Sequence, residues 1–143
     1  MKFDKTISRE IALHGIYQHI MGLEPENIVK FEWVEGVFEG EIEYRNKDFI
    51  LTYARKILNT YFSRHEQIIN ILNKFYVKNP ELLSSIDKAL LMLGITMYIM
   101  GDNTPKVVID EIINISKSYG STNNTYKMIN KFMDLVVKNQ SIL

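Results

Sequence analysis

The segment from Ser84 to Met100 constrains the fold most. Its second half, Ala89 to Met100, is apolar on nearly every side of a helix, interrupted by Gly94 and Thr96. A helix that is hydrophobic all round has to be enclosed by other elements. This one is too short to span a bilayer, which takes about 20 apolar residues. Its ends are marked. Ser84 and Asp87 have the spacing of a capping box, and Gly101-Asp102-Asn103 is turn chemistry. The segment therefore predicts a buried central helix, and the rest of the chain must supply the helices that cover it.

Helical periodicity dominates the remainder. A first helix is expected from about Thr6 to Met21, with Ala12, Leu13, Ile16, Tyr17 and Ile20 on one broad face and Gly22 as its stop. Pro25 opens a second, with Ile28, Phe31, Val34 and Phe38 as its stripe. A third covers about Asn46 to Tyr61, with Ile50, Tyr53, Ile57 and Tyr61 in register. A fourth runs from about Arg64 to Phe75 and stops before Asn79-Pro80. After the central helix, Thr104-Pro105 caps a sixth, carrying Val108, Ile112, Ile115 and Tyr119 and ending at Gly120. The last follows the polar loop Ser121 to Asn124, with Met128, Ile129, Phe132, Met133, Val136 and Val137 apolar. The prediction is an all-α fold, one compact domain of about seven helices over residues 1–143. Leu90, Leu93, Met97, Val108, Ile112, Ile129 and Phe132 are expected in its core.

Several function classes find no support. Cysteine is absent, which removes disulfides, thiolate ligands and a thiol nucleophile and fits a reducing cytosol. The N-terminus lacks the apolar region of a secretory signal. His14 and His19 are five apart and His65 stands in another helix, so no two-histidine metal motif exists. Asp110 and Glu111 are adjacent and diverge by about 100° on a helix, too far to flank one reacting bond. Glycines are scattered singly. The methionines, Met92, Met97 and Met100 among them, have core spacing. The tyrosines and phenylalanines mostly sit in the same stripes, without the sheet-borne stacking surface of common RNA readers. The chain is expected to be no enzyme and to need no cofactor or metal.

Net charge is zero, with 17 basic and 17 acidic side chains, which argues against gripping nucleic acid by bulk charge. The distribution is uneven. Glu24 to Glu43 holds seven glutamates and one lysine, whereas Arg45 to Lys78 is strongly basic. Such runs are usually solvated helix faces, here able to pair with each other.

Two blocks carry a family resemblance. Arg9-Glu10-Ile11-Ala12-Leu13-His14-Gly15-Ile16-Tyr17-Gln18 is one. Pro105-Lys106-Val107-Val108-Ile109-Asp110-Glu111 is the other, continued by Lys117-Ser118-Tyr119-Gly120 and by Met128-Ile129-Asn130 with Asp134. Together they resemble the opening pattern and the C-terminal signature of the NusB transcription antitermination family, with Asp110 in place of an asparagine. Residues 24–80 match by pattern only.

The resemblance implies a small all-helical, cytoplasmic, non-catalytic protein. Its partner would be the small-subunit ribosomal protein NusE, its ligand boxA-type single-stranded RNA, and its setting the RNA polymerase antitermination complex, notably on ribosomal RNA operons. It places RNA contacts at Lys2, Lys5, Arg9, Lys127, Asn130 and Lys131. It places partner contacts at Tyr17 and on the exposed edge of the central helix at Met92 and Met97. The chain departs from the family in its sparse basic arm, where Asp4 interrupts Lys2, Lys5 and Arg9. It also carries no charge at Met92, Thr96 and Met97, and has Lys131 in place of a glycine. The sparse arm implies RNA binding by the isolated protein that is weak or depends on the partner. The uncharged positions imply a more apolar partner surface, and Lys131 adds a compensating positive charge beside Asn130. The alternative is a helical protein-interaction domain of the same fold with RNA binding weakened or lost.

Overall fold

The computed structural model describes residues 2–139, and these form eight α-helices, no strands and one short 3-10 turn. They are α1 (Asp4–Ile20), α2 (Pro25–Ile28), α3 (Val34–Val37), α4 (Lys47–Ser63), α5 (His65–Phe75), α6 (Ser85–Met100), α7 (Pro105–Tyr119) and α8 (Thr125–Lys138), with the 3-10 turn at Pro80–Leu82. The expected second helix is divided. Phe31 takes a left-handed backbone angle, φ 58°, which interrupts the helical hydrogen-bond ladder between α2 and α3. Its stripe still faces inward, and Ile28, Phe31, Val34 and Phe38 are all buried. Burial of the Phe31 ring under the Arg55 guanidinium, 4.9 Å away, and against Trp33 offsets the strain of that angle.

The central element is α6, which packs on α1, α4, α5, α7 and α8. Residues 89–97 are all buried. Each fully buried Leu or Ile contributes roughly 1.5–3 kcal/mol, so this one helix anchors the core. Ser84 caps it by accepting from the Asp87 amide at 3.2 Å. The Asp87 carboxylate does not close the capping box. It is buried and reaches the α7–α8 loop, accepting from the Ser121 amide at 2.9 Å, from the Ser121 hydroxyl and from Thr125. The start of α6 is thus tied to the start of α8.

Glycine serves close packing here. A Cβ on Gly120 would lie 2.6 Å from Thr125 Cβ and 2.7 Å from the Ser116 carbonyl oxygen, so the chain can turn into α8 only without one. At Gly94 the Met133 sulfur sits 3.0 Å from where a Cβ would be, which lets α8 lie close on α6.

The seven expected core residues are all buried, Phe132 at 3% exposure. On α4 the expected stripe holds at Ile50, Ile57 and Tyr61 and departs at Tyr53. Ile50, Ala54, Ile57, Leu58 and Tyr61 face the core, and Tyr53 stands half-buried at its rim.

Candidate nucleic-acid and partner surfaces

The two sequence blocks meet in space. Arg9 and Glu10 lie on the first half of α1, and Glu111 and Tyr119 on α7. Arg9 is 5% exposed, and its Nη1 stands 3.3 Å from Glu111 Oε1. Glu10 is 2% exposed and accepts a hydrogen bond from the Tyr119 hydroxyl at 3.0 Å. Burial, and then the Glu10 charge, pushes the Tyr119 phenol well above its usual value. These contacts fasten α1 to α7.

This cluster changes the expected basic arm. Arg9, an expected RNA contact, is instead enclosed between the Tyr53 ring, 5.8 Å from its guanidinium, and Glu111. Lys2 is exposed, but its ammonium lies 2.8 Å from Glu10 and 3.2 Å from Glu41. The bond to Glu10 chiefly raises its pKa. Arg45 donates to the Lys2 carbonyl at 2.7 Å and to Asp4 at 3.0 Å, strapping the chain start to the 41–45 segment. Lys5 is exposed and stands 5.2 Å over the Tyr53 ring. Of the three, only Lys5 faces solvent with no acidic partner among the described residues.

On α8, Lys127, Asn130, Lys131, Asp134 and Lys138 recur at helical spacing, and all are exposed. They form one polar stripe opposite the buried Ile129, Phe132, Met133 and Val136. Tyr126 stands beside it, within 5.3 Å of Lys117 on α7 and 5.9 Å of Lys127. Among the described residues no side-chain hydrogen bond or ion pair joins the Lys2–Arg9 stretch to the α8 stripe.

The expected partner residues separate. Tyr17 is 36% exposed, and Met21, one turn on, is 57% exposed. Leu23 follows at 46%. The end of α1 therefore presents an apolar surface that the sequence pattern had assigned in part to the core. Met92 and Met97 are at 1% and 5% exposure, enclosed by the surrounding helices, and their side chains offer no surface to a partner. The accessible parts of α6 are its two ends, Ser85, Ile86 and Lys88 in the first turn and Tyr98 to Met100 in the last, all half-buried.

The histidines are also placed by the fold rather than by spacing. His14 is half-buried among Trp33, Phe38 and Tyr119. The rings of His19 and His65 come within 5.1 Å, and His19 Nδ1 is 2.8 Å from the Tyr61 hydroxyl. Burial lowers the pKa of all three, helped at His19 by His65 and at His65 by Lys88. Among the described residues no group of three side chains is placed to hold a metal ion. The adjacent carboxylates diverge, Asp110 to Lys106 at 2.7 Å and Glu111 to Arg9. No helix among the described residues is long and apolar enough to cross a membrane.

The acidic and basic segments pair in part. Lys47 meets Glu35, whereas Lys56 pairs with Asp102 at 2.9 Å and Arg55 donates to the Val29 carbonyl at 3.3 Å.

The sequence pattern that defines the NusB family matches residues 6–138. The chain is 31% identical over 144 residues to the transcription antitermination protein NusB of Buchnera aphidicola subsp. Cinara cedri, covering 99% of this chain and 95% of that protein. It is 29% identical over 136 residues to the NusB of Shewanella denitrificans, covering 94% and 96%. Over a shorter stretch of 60 residues, 41% of this chain and 43% of the relative, it is 42% identical to the NusB of Treponema denticola. The arginine-to-carboxylate and carboxylate-to-tyrosine contacts between α1 and α7 therefore sit inside a match that spans nearly all of the folded residues, and the chain belongs to the NusB family of transcription antitermination factors.

Proposed function

We propose that the chain pairs with the small-subunit ribosomal protein NusE and binds boxA-type single-stranded RNA. In doing so it joins the RNA polymerase antitermination complex in the cytoplasm and promotes readthrough, notably of ribosomal RNA operons. The observation that carries this reading is the family match over residues 6–138. The exposed apolar end of α1 at Tyr17, Met21 and Leu23 supports a protein partner there, since an amphipathic tyrosine suits an interface centre. The exposed Lys5 and the α8 stripe of Lys127, Asn130 and Lys131 support RNA contact, since lysines that neutralise phosphates position a strand without specifying its bases. Arg9 and Lys2, committed to Glu111, Glu10 and Glu41, support it less.

That commitment favours the second reading, an interaction domain with weakened RNA binding. One experiment separates the two. The protein is used to retrieve partners from lysate with and without RNase, beside Tyr17→Asp and a Lys5→Glu/Lys127→Glu/Lys131→Glu variant. Retrieval of the ribosomal protein, lost in Tyr17→Asp with helicity intact, supports the partnership. A fall in RNA affinity and in its salt slope for the lysine variant supports RNA binding, each lost phosphate contact removing about one unit of slope. Partner retained with no measurable RNA affinity leaves the interaction domain. Failure to retain the ribosomal protein refutes the partnership.

A further inference from the structure

The α4 helix carries an aromatic pair at the edge of the core, with Tyr53 packed on its rim and Phe49 outside it. Phe49 and Tyr53 are one turn apart, and their rings are parallel to within 3° with centroids 6.2 Å apart. Phe49 is 39% exposed and Tyr53 is half-buried at the rim. An exposed ring and a half-buried one held parallel present edges and faces of the kind on which planar groups stack.

The pair is held in place from several sides. The Tyr53 hydroxyl donates to Asp102 at 3.4 Å, and Asp102 also holds Lys56 at 2.9 Å. The Lys5 ammonium stands 5.2 Å from the Tyr53 ring centroid and the Arg9 guanidinium 5.8 Å, both within cation–π range. The buried Arg9–Glu111 contact fixes that second cation, so the tyrosine ring is oriented before any ligand arrives. Lys5, exposed, lies at the platform from α1, whereas Lys56 on the next turn of α4 is held by Asp102.

Aromatic faces beside exposed lysines are the chemistry that takes unpaired nucleobases. Each base stacks on a ring, and the lysines neutralise the phosphates between them. A double helix hides its base faces and cannot use such a surface, and an acidic peptide has no flat group to stack. We propose that Phe49 and Tyr53 form a base-stacking platform for single-stranded RNA, with Lys5, which has no acidic partner among the described residues, as its phosphate contact. The proposal rests on the RNA reading of the preceding subsection and adds a site on α4 that Lys5 joins to the start of α1.

The test uses the full chain with its ribosomal partner present and a labelled boxA-type oligonucleotide, titrated at two salt concentrations. Phe49→Leu/Tyr53→Leu keeps apolar bulk and every charge. It should weaken binding by at least about tenfold, from the worth of base stacking on an aromatic ring, with the salt slope unchanged. Tyr53→Phe loses the bond to Asp102 but keeps the ring, and should bind within about threefold of wild type if stacking is what matters. Lys5→Gln should lower the salt slope by about one. Far-ultraviolet circular dichroism confirms that each variant folds. Equal binding by the folded leucine variant and wild type overturns the platform while leaving the RNA reading intact. Wild type that binds no RNA overturns both. Loss of the protein partner with RNA affinity unchanged makes the patch a protein contact and also overturns the platform.

Discussion

The Arg9–Glu111 contact allows a sharp test of how this fold is held. Arg9 and Glu111 side chains are 7% and 18% exposed, and their nearest nitrogen and oxygen are 3.3 Å apart. Neither Arg9 Nε nor Glu111 Oε1 has a hydrogen-bond partner, so the attraction is one of charge more than of directed bonding. Removing one member of a buried pair leaves the other charge uncompensated, at about 3–5 kcal/mol. The imperfect geometry and the partial exposure of Glu111 put this pair at the lower end. Arg9→Ala and Glu111→Ala should each lose about 3 kcal/mol, a large fraction of the roughly 5–15 kcal/mol that holds an ordinary domain folded. Replacing both by apolar residues of similar size, Arg9→Met with Glu111→Leu, removes the desolvation cost along with the attraction. It should return to within about 1 kcal/mol of wild type. Urea unfolding followed by circular dichroism measures all four proteins. Single losses below about 1 kcal/mol, the range of exposed substitutions, would refute the buried pair. A double variant as unstable as the sum of the two singles would refute the charge argument. The same reasoning excludes Arg9→Glu from any RNA-binding test, because it would set two carboxylates against each other at the α1–α7 seam.

Three further outcomes are expected. Phe132→Ala should cost about 3–5 kcal/mol in the same unfolding assay, because the ring is 3% exposed, and a loss below about 1 kcal/mol would contradict its place in the core. Asp87→Ala should cost about 2–4 kcal/mol and speed hydrogen exchange at the Ser121 amide, since it removes a charged acceptor from a buried loop anchor; unchanged exchange there would mean the loop is held otherwise. Stability should fall as pH drops below about 6.5, because the three histidines have lowered values in the folded protein and the unfolded chain takes up their protons first. His19→Asn with His65→Asn should flatten that fall, and an unaltered pH profile would assign it to other groups.

What the sequence reveals here divides by physical range. The central position of α6 is legible because an apolar surface on every side admits one solution. Ser84, Thr104, Pro25 and Pro105 mark helix starts by local chemistry, and the structure has those starts. The break at Phe31 is not legible, because a phenylalanine in the left-handed region is stabilised by neighbouring Trp33 and by Arg55 of α4, and the second contact lies outside any local window of sequence. Asp87 shows the same limit. Its spacing from Ser84 fits a capping box, but the carboxylate finds better donors 34 residues away. Met92 and Met97 resemble partner positions, yet the all-round apolar character of their own helix already places them inside. Tyr17 is ambiguous by periodicity, because it lies at the edge of a broad face, and only the packing of α1 decides that it stays exposed.

The residues that carry the family resemblance fall into two physical groups. Arg9, Glu10, Glu111 and Tyr119 bond to one another across the α1–α7 seam, and their chemistry is spent on holding two helices together. Lys127, Asn130 and Lys131 are exposed on a stripe whose opposite side is core, and nothing in the fold requires their charge. The first group fastens the two helices of this fold, and a change there reads out as stability. The second group, with Lys5 and Tyr17, is where a ligand or partner can act, and a change there reads out as affinity with the fold intact. An arginine in a family motif thus supports the fold here, and the RNA reading depends on side chains that the fold can spare.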